Sequence, residues 1–167
     1  MPSGVALAAI VAGVGLGAAI DIRTRRIPNV ITLGTAVAGL GLAFAGWSGI
    51  SPASSMLGLL LGLLFMLPGY VFGGTGAGDV KLMAAVGAVL GVQRIVPAVL
   101  LTAIAGGVLA VVIAIGTRRF GATLRRTGWL LTAPAEASRE IKAPDAGNRF
   151  AYGPAILLGS VLAALVA

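Results

Sequence analysis

Apolar residues in this chain come in long runs separated by short polar breaks, and the runs approach the length needed to cross a bilayer. They stand at about 5–20, 30–45, 54–72, 80–92, 96–116 and 151–166. The strict alternation of a membrane strand is missing from them. Runs of this length predict spanning α-helices, which satisfy every backbone polar group within the segment. The breaks are a polar loop, Asp21-Ile22-Arg23-Thr24-Arg25-Arg26-Ile27-Pro28-Asn29, closed by a Pro-Asn turn; an uncharged turn at 47–52, with Trp47 at interface depth; a glycine-rich stretch at 73–79; a brief turn at Gln93-Arg94; and a long polar segment at 117–149. The run at 80–92 is short enough to suit a re-entrant segment equally well. Gly13/Gly17, Gly58/Gly62 and Gly87/Gly91 are small-xxx-small pairs that favour close helix packing. The expected fold class is all-α: a polytopic membrane protein, a bundle of about six transmembrane helices. It forms one membrane-embedded domain over residues 1–167, with a polar cytoplasmic loop at about 117–149.

Composition agrees. The chain is 58% hydrophobic and only 10% charged, with a mean hydropathy of +1.04, whereas soluble domains average about 25% charged residues. The net charge of +7 would raise nucleic acid as a partner in a soluble protein. Here the basic residues lie between apolar runs, so membrane orientation accounts for them, and lipid is the expected partner, not nucleic acid. With the 21–29 loop inside, the glycine-rich stretch and the 117–149 segment are inside too. Eleven of the twelve Lys and Arg are then cytoplasmic, with Arg94 alone outside. The positive-inside rule selects this orientation, with both termini external. No basic residue precedes the first run, which reads as a retained span rather than a cleaved signal.

Histidine and cysteine are both absent. That excludes thiol nucleophiles, thiolate zinc sites and a Ser-His-Asp triad, and leaves carboxylates, lysine, tyrosine and hydroxyls for any chemistry. No metal and no cofactor is expected. Asp21 closes the first run and Asp79 opens the fourth. Two runs lie between them, so both carboxylates return to the same face. Ionisable groups at membrane depth are costly and mark function by default. A carboxylate pair holds one proton between its members, and so can both activate a water and protonate a leaving amine. Gly76 and Gly78, just before Asp79, allow positive φ and close approach by a substrate backbone; a flexible linker is the plainer reading. Lys81 and Arg23 each follow an aspartate by two residues, a spacing that does not bring side chains face to face on a helix. They either reach toward headgroups or tune the acids. Tyr152-Gly153-Pro154 marks either a kink near the site or a helix start.

Taken together, these stretches resemble the type IV prepilin peptidase family, the bacterial branch of the GxGD membrane aspartic proteases. Asp21-Ile22-Arg23-Thr24-Arg25-Arg26-Ile27-Pro28-Asn29 is similar to the family's first-aspartate motif, and Gly76-Ala77-Gly78-Asp79-Val80-Lys81-Leu82 to its GxGD motif. Phe150-Ala151-Tyr152-Gly153-Pro154-Ala155-Ile156 is similar to its closing motif, with Ala151 in place of the usual proline. The resemblance implies a catalytic pair, Asp21 and Asp79. It implies substrate binding or backbone support by Pro28, Asn29, Gly76, Gly78, Lys81, Tyr152, Gly153 and Pro154. The implied reaction is cleavage of a type IV or Flp-like prepilin after a glycine that precedes its apolar helix. Larger members carry paired cysteines and also methylate the new N-terminus. Without cysteine, and with Asp21 directly after the first run, this chain is expected to act as a peptidase only, like the small enzymes of Flp/Tad pilus systems. The alternative is a small proton- or cation-coupled transporter using the same acids. A transport path wants charge near mid-bilayer, and both aspartates lie at run ends.

Overall fold

The computed structural model describes residues 4–116 and 151–166. The polar loop expected at about 117–149 lies outside them. The described residues form six helices and no strand: α1 (Gly4–Thr24), α2 (Asn29–Phe44), α3 (Pro52–Val71), α4 (Ala77–Leu90), α5 (Val92–Gly116) and α6 (Gly153–Val166). α1, α3 and α5 contain stretches long and apolar enough to cross a membrane, and α2 and α6 are shorter apolar helices. The protein is a helical membrane protein.

Local chemistry sets several boundaries. Ser51 caps α3, its side chain accepting the Ser54 N–H at 3.2 Å, and Pro52 takes the first helical position, where its missing N–H costs nothing. The α4–α5 corner is a single residue, Gly91, with φ +75°. Gln93 and Arg94, expected to form that turn, lie instead in the first turn of α5. Only the glycine adopts the left-handed backbone cheaply, so the reversal falls there and not at the polar pair.

α4 is the axis of the fold. It touches every other helix, and the remaining five close a ring around it in the order α1, α2, α3, α5, α6. Eleven of its fourteen residues are buried. At about 1.5 Å per residue it is only ~21 Å long, below the ~30 Å of a hydrocarbon core. Protein rather than lipid surrounds it, so its length need not match the bilayer. The run at 80–92, whose length also suits a re-entrant segment, falls up to Leu90 in a continuous, enclosed helix. The ring helices turn Leu33, Leu60, Leu100, Ile104 and Val108 outward, as lipid-facing surfaces do.

Close packing onto α4 depends on small residues. A methyl group added at Gly58 or Gly87 would run into the carbonyl of the other, and one at Gly62 would meet the Met83 carbonyl. The α3 and α4 backbones are therefore in contact. Ser55 donates to the Ala88 carbonyl across the same seam, and Ser54 accepts the Val92 N–H at 3.2 Å, which pins the Gly91 corner to α3.

Candidate active site

α1 runs three residues past Asp21, and the Arg25 N–H closes its last turn on the Asp21 carbonyl at 2.8 Å. Arg25 then takes φ 52° and Pro28 is extended, so the chain reverses and enters α2 at Asn29. This short segment crosses the N-terminus of α4. Ile27 sits against Gly78: a Cβ on that glycine would be 3.1 Å from the Ile27 Cβ. The same isoleucine reaches Gly17 of α1. Two residues on, Asn29 accepts a hydrogen bond from the Lys81 ammonium at 2.9 Å. The end of α1 and the starts of α2 and α4 therefore meet at one end of the bundle.

Both aspartates are buried there, Asp21 at 5% and Asp79 at 7% exposure, and each accepts a backbone N–H at a helix start. Asp79 lies three residues after Gly76, the residue that caps α4, and accepts its N–H at 2.9 Å, one half of a capping box. Asp21 reaches a different helix. Its Oδ2 accepts the N–H of Gly153, the first residue of α6, at 2.9 Å in a buried bond. Helix N-termini present unsatisfied N–H groups and partial positive charge, which suit carboxylates. Asp21 and Asp79 are the two acids among the described residues.

The glycines differ from expectation in how they act. Neither Gly76 nor Gly78 has positive φ; in that stretch only Gly73 does, at 82°. Their role is steric. A Cβ at Gly76 would lie 3.1 Å from the Asp79 Oδ2, and Gly78 admits the backbone and side chain of Ile27. Gly153 is equally confined, since a Cβ there would stand 3.0 Å from both the Asp21 Oδ2 and the Ala18 Cα. Tyr152 donates to the Thr102 carbonyl of α5 at 3.4 Å and packs its ring on Gly106. Pro154 lines a shallow apolar groove of about 460 Å³ with Ala18 and Ile22 of α1. Pro28 is exposed and directs the chain into α2. Arg23 is exposed. No three acidic, His or Cys side chains cluster as metal ligands among the described residues.

Sequence reasoning gave Ile27 no role, although an aliphatic residue inside a basic loop signals a buried contact. It also missed the Gly153 N–H as the partner of Asp21. A backbone donor 132 residues away leaves no trace in composition or spacing.

Comparison with known proteins decides the family. Residues 8–111 match the model of the type IV leader peptidase family. The chain belongs to that family. The matched segment contains both aspartates and stops short of Tyr152. Two prepilin leader peptidase/N-methyltransferases, from Burkholderia pseudomallei strains 1026b and K96243, are each 36% identical to it over 122 residues, covering 66% of this chain. The chain matches only 38% of the length of these relatives. No solved structure matches.

Proposed function

We propose that this protein is a membrane aspartic endopeptidase that removes the leader peptide of type IV or Flp-like prepilins at the cytoplasmic face of the inner membrane. One observation carries the proposal: in a chain of the leader peptidase family, the two acids of the described bundle are both buried at one end of it, each accepting a backbone N–H at a helix start. In the proposed reaction Asp21 and Asp79 share one proton. The ionised carboxylate takes a proton from a water that attacks the scissile carbonyl, and the protonated one donates to the leaving amine. Gly76 and Gly153 hold the two carboxylates through their N–H groups. For these residues the proposal is peptide hydrolysis alone, without methyl transfer, since the sequence has no cysteine. The 1–167 stretch acts as a single membrane-embedded domain, and both termini are external. The test is co-expression with a Flp-type prepilin: the wild-type protein shortens the prepilin on a gel, and cleavage requires both carboxylates. An intact prepilin beside abundant, membrane-inserted wild-type protein would overturn the assignment.

A further inference from the structure

The α3–α4 linker bonds back to the end of α3 at Gly69 and Tyr70 and meets the Asp79 carboxylate through the Gly76 N–H. It is a glycine-rich turn with Gly73 at φ 82°, and Gly74 and Gly76 are exposed. α4 is firmly packed along its length, but its first turn emerges from the ring, with Ala77 and Lys81 exposed. Besides that linker, the segment leaving Asp21 holds the turn from outside. The Arg25 N–H binds the Asp21 carbonyl at 2.8 Å, Ile27 lies on Gly78, and Asn29 takes the Lys81 ammonium at 2.9 Å. Six residues after one aspartate, the chain rests on the residue preceding the other. Two residues later it is tied to the lysine that follows that aspartate by two.

We infer that residues 25–29 form a strap that sets the position of Asp79 relative to Asp21, with Lys81 acting as a positioning residue through Asn29. Lys81 on this account neither contacts the substrate nor serves as a headgroup anchor. The geometry gives it a single ammonium donor on an amide oxygen 52 positions away in sequence. The ammonium spans from the α4 first turn to the α2 start, and both lie beside the buried acids. The inference rests on the proposed peptidase reading for its catalytic consequence. Its structural content, that the strap fixes the first turn of α4, does not.

The test is a double-mutant cycle on the full chain in membranes, using a prepilin-derived peptide that spans leader, cleavage glycine and apolar segment. Lys81→Met and Asn29→Ala are each expected to lower kcat about tenfold or more with KM unchanged, since small misplacements of reacting groups cost up to ~100-fold. The double variant should be no slower than the singles, because both remove one interaction. Asn29→Asp, which keeps an acceptor for the ammonium, should restore the rate. Amide hydrogen exchange over residues 76–80 gives a readout independent of cleavage: it should accelerate in Lys81→Met and Asn29→Ala and return to normal in Asn29→Asp. Multiplying losses, a raised KM at constant kcat in Lys81→Met, or unchanged exchange in Asn29→Ala would overturn the strap. If the wild-type protein cleaves nothing, the peptidase reading fails, and the exchange measurement still decides the strap.

Discussion

Asp21 is held by one backbone donor, the Gly153 N–H, and that donor is available only because residue 153 has no side chain. Gly153→Ala would push a methyl group against the Asp21 carboxylate and the α1 backbone at Ala18, both 3.0 Å from the added carbon. The carboxylate has to move, since the backbone on the other side cannot. We expect roughly a ten- to hundredfold loss of cleavage in Gly153→Ala with the protein still inserted, measured as initial rate per inserted molecule. The two aspartates themselves stand out in the sequence, because charge is rare and the parity of the runs returns both to one end. The groups that hold them do not stand out. Gly76 precedes Asp79 by the three residues of a capping box, a spacing that is legible. The Gly153 bond closes across the whole chain, so nothing local announces it.

At the scale of elements, apolar run length located every described helix, since that length is what a bilayer demands. It could not say which helix is central. α4 is short, a length that suits a re-entrant segment as well as a span; enclosure by five neighbours removes the need to span lipid. The Gly58–Gly87 contact follows from that enclosure. Gly87→Ala should cost about 1–3 kcal/mol or more, because the methyl group meets the α3 backbone rather than a side chain that can rotate away. Thermal unfolding in detergent checks this. Gly41→Ala is the control, since a Cβ there meets nothing within 4 Å, and it should leave the midpoint unchanged or slightly raised.

For the molecule as a whole, the ring around α4 places the α1–α2 segment and the α4 N-terminus at one end, beside both acids. By the positive-inside rule we propose that this end is cytoplasmic. The chain has no cysteine of its own, so single-cysteine labelling reads orientation directly. With a membrane-impermeant maleimide applied from outside, Trp47→Cys should label in intact cells, and Arg26→Cys only after permeabilisation. The reverse pattern would place the proposed site on the wrong face for a cytoplasmic leader. The central claim is that Asp21 and Asp79 act as one unit, and the most direct measurement of it is cleavage of a co-expressed Flp-type prepilin by Asp21→Asn, Asp79→Asn and the double variant, with insertion verified for each. Each single variant is expected to abolish processing, with the double no worse than either. Wild-type cleavage by either single variant would contradict that claim.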